Sequence, residues 1–179
     1  YSFPVGKDKD GNYISTDLQE YAHIIAAGQT GSGMAVFQDT MIVSLMYKNT
    51  PDELKLILID PKRVSLSPYK ESPYLQRPWI VEPEETESAF KWLLEEMERR
   101  FEILAESGRK DIFDYNSDSK TKLHPILLVI DEIADLMMIN GKYYEESLVK
   151  IMQKSRAVGI MSFIGTHRAA EEVLPGLVR

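Results

Sequence analysis

A chain of 179 residues with 44% hydrophobic content is long enough to bury one core of ordinary size, so we expect a single domain over residues 1–179. Its 21 basic and 28 acidic residues give a net charge of −7, which excludes a uniformly basic surface wrapped by nucleic acid. Cysteine is absent, which excludes disulfides and thiolate metal sites, and the three histidines lack ligand spacing. Without a signal-peptide pattern or an apolar run of about 18 residues, we expect a cytoplasmic domain, and a membrane anchor elsewhere in a parent protein stays open.

Apolar patterns predict strands that alternate with helices. Residues 1–17 are polar and turn-rich and predict a hairpin-like segment that caps the sheet. Four apolar runs have the length of buried parallel strands: residues 23–27, 54–60, 125–131 and 160–165. Three segments between them have helical spacing: residues 36–47, 84–107 and 143–158. Residues 116–122 are polar and aperiodic and predict a loop. The fold class is therefore α/β, with a mainly parallel sheet and right-handed crossovers.

A glycine-rich loop lies between the first predicted parallel strand and the helix that follows. Its candidate phosphate-binding residues are Gly28, Gln29, Thr30, Gly31, Ser32, Gly33, Met34 and Ala35. In the motif G-x-x-x-x-G-K-[ST], backbone N–H groups cradle phosphates, the lysine reaches the β- and γ-phosphates, and the hydroxyl binds Mg²⁺. Met34 has no charge and Ala35 has no metal-binding oxygen, so we expect little or no hydrolysis of ATP. Chance spacing of two glycines is the alternative, and the order strand, loop, helix disfavours it.

Two carboxylates follow the third predicted parallel strand. In open α/β sheets, ligands bind at the carboxyl ends of the strands. In a P-loop ATPase the first acid helps to hold Mg²⁺ and the second polarises the attacking water, so Asp131 is a candidate catalytic residue and metal ligand, and Glu132 a candidate catalytic residue. The alternative is that the pair caps the next helix.

His167 closes the fourth predicted parallel strand, where such folds place a polar residue that senses the γ-phosphate. We include it among the candidate catalytic residues, as a donor or an acceptor. The alternative is a satisfied polar group at a strand end.

Six segments of the chain together resemble the FtsK/SpoIIIE family of DNA-translocase motors, a RecA-like class of P-loop ATPase with a three-layer fold. They are FPVGKD at 3–8, AAGQTGSG at 26–33, LIDPKRV at 58–64, EMERRF at 96–101, VIDEIADLMM at 129–138 and QKSRAVGI at 153–160. The resemblance implies a homo-hexameric ring that pumps double-stranded DNA with ATP and Mg²⁺, with each site completed by an arginine from the neighbour. A protein translocase of a secretion system shares this fold and stays open.

The chain also departs from the pattern of the family it resembles. Besides Met34 and Ala35, it has Ser65 for the usual Glu, Tyr74 for the usual His, and an altered segment at 159–170. We expect these changes to cluster around the nucleotide pocket. The chain stops at Arg179, before the family's later strands and winged-helix module, so we expect hexamer formation and DNA binding to be weakened.

Three hypotheses follow for the function. The first is a disabled motor domain that retains the nucleotide-binding fold without hydrolysing ATP. The second is an engineered scaffold whose pocket was rebuilt for a non-native ligand or reaction, lined by Met34, Met161, Phe163 and His167. The third is an active translocase fragment that uses another lysine, with Lys62 as the candidate.

Overall fold

Strands and helices alternate along the chain in the computed structural model, which describes residues 1–168 together with residues 173 and 176. The strands are β1 (Ser2–Lys7), β2 (Tyr13–Asp17), β3 (His23–Ala27), β4 (Lys55–Ile59), β5 (Ile126–Ile130) and β6 (Ile160–Thr166). The helices are α1 (Met34–Lys48), α2 (Pro83–Ser107), α3 (Ile112–Asp118) and α4 (Ile133–Lys154). None of the helices in this described part is both long and apolar enough to span a bilayer.

Four parallel strands form the central sheet in the order β3-β6-β5-β4. Ala27 pairs with Thr166, and Ile130 pairs with both Ile59 and Ile164, so the four strands end close together. We call this side of the sheet the carboxyl edge. The glycine loop, the segment after β4, the acidic pair and His167 all follow strands that end at this edge. The α/β fold with a mainly parallel sheet is confirmed.

Helices cover both faces of the central sheet. In β5, Leu128 and Ile130 belong to the core cluster formed with α2 and α4, whereas Leu127 and Val129 belong to the cluster on the α1 face. Because β4 and β5 are buried on both faces, their sequences are almost continuously apolar rather than alternating. The fold has three layers, as the sequence predicted.

The predicted hairpin forms, as an antiparallel two-stranded sheet of β1 and β2. It does not extend the central sheet, in which β3 is an edge strand. The hairpin packs instead on α1, and Phe3 shares a core cluster with Met41 of that helix.

Two element boundaries predicted from sequence were wrong. Helix α4 begins at Ile133, ten residues before the predicted start, because the non-helical backbone of Asn140 (φ −150°, ψ 64°) interrupts it and Gly141 weakens its helical pattern. Part of the predicted loop at 116–122 belongs to α3. Asp111 caps that short helix by accepting hydrogen bonds from the backbone N–H groups of Phe113 and Asp114.

Gly165→Ala is expected to destabilise the fold, because the added Cβ would lie 2.4 Å from the backbone oxygen of Asp131. Overpacking of this kind costs about 1–3 kcal/mol. The matched control is Gly141→Ala in α4, where the nearest atom is a side-chain methyl 3.7 Å away. Urea unfolding should show a loss for the first variant only, and equal stability of the two variants would contradict the close approach of β5 and β6.

Candidate functional site

The backbone of the glycine loop requires its glycines. Gly31 and Gly33 have φ angles of 87° and 88°, which other residues rarely adopt. A Cβ at Gly28 would lie 2.3 Å from the Ser32 hydroxyl oxygen. The loop is therefore built around its glycines, which disfavours chance spacing. Gly33 precedes α1 and provides no side-chain cap, so the first N–H groups of this helix have no side-chain acceptor there.

Met34 and Ala35 are the first two residues of α1. The Met34 side chain is buried, with 7% of its surface exposed. Gln38 lies one turn further along the helix and donates a hydrogen bond to Asp131. Because positions i and i+4 share a helix face, position 34 lies on the face that turns toward Asp131. The chain thus has an apolar side chain where the motif has its lysine.

Two buried carboxylates lie close together below the loop. Asp131 is 3% exposed and accepts a 3.4 Å hydrogen bond from Gln38 Nε2, and Asp60 is fully buried and accepts a 2.9 Å bond from the Leu66 N–H. Burial raises the pKa of Asp131, the negative charge of Asp60 raises it further, and a hydrogen bond from Ser65 opposes the shift. Among residues 1–168, 173 and 176, Asp60 Oδ1 and Gln38 Oε1 have no hydrogen-bond partner. Within the described residues, neither carboxylate forms an ion pair with a lysine or arginine.

The residues of this edge do not fit Mg²⁺ as the P-loop motif binds it. Mg²⁺ requires near-octahedral oxygen ligands, and the motif supplies a hydroxyl besides the carboxylate after the strand. Ala35 has no side-chain oxygen, so of the motif's hydroxyl and carboxylate ligands only the carboxylate of Asp131 is present. Among residues 1–168, 173 and 176, no group of three or more His, Cys, Asp or Glu side chains could hold a metal ion.

Both oxygens of the Glu132 carboxylate are engaged. Oε1 accepts a 3.1 Å hydrogen bond from the Ala134 N–H, which makes Glu132 the N-cap of α4. Oε2 accepts a 3.0 Å bond from the His167 N–H. The ammonium of Lys62 lies 3.8 Å from Oε2 and 3.6 Å from Asp135 Oδ2. Glu132 therefore caps α4, and its carboxylate also connects that helix to the residue that follows β6; its catalytic role stays a prediction.

The ring of His167 contacts the glycine loop. Its Nδ1 lies 3.1 Å from the backbone oxygen of Gly28. Since a carbonyl oxygen only accepts, Nδ1 carries the hydrogen, and Nε2 of the neutral ring is an acceptor. A phosphate also only accepts, so His167 can donate to one through Nε2 only as an imidazolium. Its contacts agree with a satisfied polar group at the strand end.

The expectation that the altered positions cluster around the nucleotide pocket was wrong for three residues. The Tyr74 hydroxyl donates to the backbone oxygens of Met46 and Asn49, at the far end of α1 from the glycine loop. Met161 and Phe163 are 2% and 0% exposed and belong to the core beneath α1. Ser65 lies close enough to Asp131 to lower its pKa, as expected of a residue at the pocket. Residues 169–170 of the altered segment lie outside the described residues.

Asp131→Asn is expected to remove one source of pH dependence in the free energy of unfolding. Because the pKa of Asp131 is raised in the folded chain, the folded chain binds this proton more tightly than the unfolded chain. Its stabilising contribution is complete below the unfolded pKa of about 4 and is lost as pH rises through the folded pKa, at about 1.4 kcal/mol per pKa unit of difference. Urea unfolding between about pH 4 and pH 8 should show the variant gaining stability over the unmodified chain as pH rises.

The buried side chain of His23 makes the free energy of unfolding depend on pH in the opposite direction, so its contribution must be cancelled in this measurement. Burial lowers the pKa of His23 to about 4, so its contribution is lost as pH falls. Both chains carry His23, and the difference between them isolates Asp131. The control is Asp52→Asn at an exposed position. A stability difference between Asp131→Asn and the unmodified chain that stays constant with pH would contradict the arrangement of the two carboxylates.

Comparison with known proteins agrees with this geometry. The chain is 43% identical over 180 residues to the DNA translocase SftA of Bacillus subtilis (strain 168), which covers 98% of this chain and 19% of that protein. It is 39% identical over 189 residues to the DNA translocase FtsK of Corynebacterium efficiens, which covers 98% of this chain and 20% of that protein. The chain thus spans about a fifth of the length of these relatives.

Solved structures share the fold. The pCW3 conjugation coupling protein TcpA, in its monomer form with ATPγS, matches with a TM-score of 0.80 and 31% identity over 98% of this chain and 50% of that chain. The cytoplasmic domain of the type VII secretion ATPase EccC of Thermomonospora curvata matches with a TM-score of 0.84 and 25% identity over 98% of this chain and 22% of that chain. The FtsK/SpoIIIE family model matches residues 1–171. With the glycine loop, the acidic pair and the three-layer sheet in place, the chain belongs to the FtsK/SpoIIIE family.

Proposed function

We propose that this chain is a translocase-type motor domain that binds the phosphates of a nucleotide through backbone N–H groups of residues 28–33 and does not hydrolyse ATP. The observation that carries the proposal is the position of Met34 and Ala35 at the start of α1, directly after a loop whose backbone still has the form of a phosphate cradle. A cradle of amides needs only glycines and a helix N-terminus, whereas catalysis needs side chains that are absent here.

The expected loss of activity is large. A hydrogen bond to a charged group contributes about 1.5–3 kcal/mol, and removal of one preorganised donor costs about 10²–10³ in rate. The chain lacks both the ammonium and the hydroxyl of the motif. Glu132, the candidate that would polarise water, already accepts two backbone hydrogen bonds. Weak binding without turnover is therefore the expected behaviour.

The other two hypotheses receive less support from the contacts. Lys62 is paired with Glu132 and Asp135, and an ammonium there neutralises the candidate base rather than supplying the charge missing at position 34. A rebuilt pocket is disfavoured because Phe163 is fully buried and its ring packs 5.9 Å from that of Phe37. Met161 lies near the start of β6, at the other end of that strand from His167.

The proposal includes the partners that the FtsK/SpoIIIE family implies. We propose a cytoplasmic motor domain that assembles with other copies of itself, into a homo-hexamer around double-stranded DNA. One surface feature supports self-assembly: Val36, Val43 and Tyr47 are 68%, 54% and 91% exposed and share one face of α1. This stripe begins next to the glycine loop, so a second copy packed on it would approach the nucleotide.

The double variant Met34→Lys with Ala35→Ser is expected to gain nucleotide binding, because it restores the ammonium and the hydroxyl of the motif. Calorimetric titration with ATP and Mg²⁺ should show binding at least about tenfold tighter in the double variant than in the unmodified chain. Phosphate release should be at least about 100-fold faster in the double variant. The control is Met138→Lys, which adds the same charge at a position 76% exposed in α4.

Phosphate release by the unmodified chain at the rate of the double variant would contradict the proposal of a non-hydrolysing domain. A double variant that gains neither binding nor turnover would contradict the role that we give to Met34 and Ala35, since the defect would then lie elsewhere in the chain.

Val43→Lys with Tyr47→Lys is expected to weaken self-association at least about tenfold, because the variant places charges on the exposed apolar stripe. Sedimentation velocity over a concentration series, with and without duplex DNA, measures the effect. Val64→Lys is the control, at a position 69% exposed outside the stripe. Unchanged association of the stripe variant, or a chain that stays monomeric throughout, would contradict the proposed assembly.

A further inference from the structure

A cleft of about 680 Å³ opens at the end of the sheet opposite the glycine loop. It lies where β6 begins, between the turn that precedes Gly159, the start of α3 and the segment that follows β2. The seven residues of β6 span about 20 Å at a rise of about 3.3 Å per residue, so the cleft is well separated from the carboxyl edge. The proposed nucleotide function makes no use of it. We call it the basic cleft.

Three cations border the basic cleft: Lys110, Lys154 and Arg156. None of them forms an ion pair within the described part of the chain. The lining includes a single acid, Asp111, and its carboxylate accepts two backbone hydrogen bonds as the cap of α3. On a chain with a net charge of −7, this gathering of unpaired cations around one concavity produces a local field that attracts anions.

The wall of the basic cleft is apolar. The half-buried ring of Phe113 lines it, and the buried side chains of Leu18 and Met161, at 0% and 2% exposed, belong to the core that borders it. Inorganic phosphate or sulfate would gain no affinity from such an apolar surface. A site for a molecule with an apolar body and a negative group needs both features, and its volume lies within the range of small-molecule pockets, about 300–1,000 Å³.

Arg156 is partly preorganised for an anion. Its Nε donates a 3.0 Å hydrogen bond to the backbone oxygen of Gln19. The bond restrains the guanidinium at the border of the basic cleft and leaves its other N–H groups without a hydrogen-bond acceptor among the described residues. A restrained donor loses less conformational entropy when a ligand binds.

We propose that the basic cleft binds a small organic anion that joins an apolar ring or chain to a sulfonate-, carboxylate- or phosphate-like group. The apolar body packs on the ring of Phe113. The anionic group pairs with Lys110, Lys154 and Arg156. A DNA duplex fits less well, because its phosphate backbone follows an extended basic surface and gains nothing from an apolar wall.

The test uses 8-anilinonaphthalene-1-sulfonate, which has this chemistry, in a fluorescence titration of the folded chain. The unmodified chain should bind it saturably, and the probe should raise the midpoint of thermal unfolding, as a ligand of the native state does. Lys110→Glu with Lys154→Glu should raise the Kd at least about tenfold. The control, Lys9→Glu with Lys70→Glu, makes the same change in net charge at two exposed positions outside the cleft and should leave the Kd within about twofold.

Equal weakening in the control pair would overturn the proposal, because binding would then follow net charge. Binding that the cleft pair leaves unchanged would overturn it as well, and so would a lowered unfolding midpoint. Displacement of the probe by low concentrations of a duplex oligonucleotide would assign the cleft to nucleic acid instead. Met34→Lys with Ala35→Ser should not alter probe binding, and an effect there would place the probe in the glycine loop.

Discussion

The carboxylate of Glu132 joins three parts of the carboxyl edge, and the geometry of the site depends on it. It caps α4 through the Ala134 N–H and fixes the end of β6 through the His167 N–H. The ring of His167 then contacts the backbone of Gly28 at the start of the glycine loop. This chain of contacts is possible only because β5 and β6 are parallel and in register, so that their ends are adjacent. Glu132, which the motif alone suggests as a catalytic base, thus also connects α4 to the end of β6.

The residues at positions 34 and 35 determine how the buried carboxylates of the carboxyl edge are compensated. A buried carboxylate is costly unless a cation or a set of hydrogen bonds compensates it. Asp131 and Asp60 are both buried without a paired lysine or arginine among the described residues, and a lysine on the face of α1 that carries Gln38 would lie toward them. Met34 supplies no such charge, so burial raises the pKa of Asp131 and the negative charge of Asp60 raises it further. The form of the glycine loop does not depend on residue 34, because it rests on the backbone angles of Gly31 and Gly33.

Elements with a clear local sequence pattern could be predicted, whereas contacts between residues far apart in the chain could not. The strands were found because β4 and β5 are buried on both faces, which leaves a continuous apolar run in the sequence. The start of α4 was missed because Asn140 interrupts the helix. The proximity of Asp60 to Asp131 could not be predicted from the local sequence, because it arises from the register between β4 and β5. Tyr74 was misplaced for the same reason: its position in a family pattern says nothing of the contacts its hydroxyl makes.

The two anion sites that we propose at the ends of β6 differ in physical origin. At its carboxyl end the proposed donors are backbone N–H groups of a glycine loop and a helix N-terminus, which require little from side chains and so do not depend on residues 34 and 35. At its amino end the donors are side chains of an otherwise acidic protein, gathered around an apolar wall. Backbone donors recognise a phosphate by its shape and charge alone, whereas the basic cleft also selects for an apolar body. The rigid sheet between them keeps the two sites about 20 Å apart, so each can be changed by substitution without contact with the other.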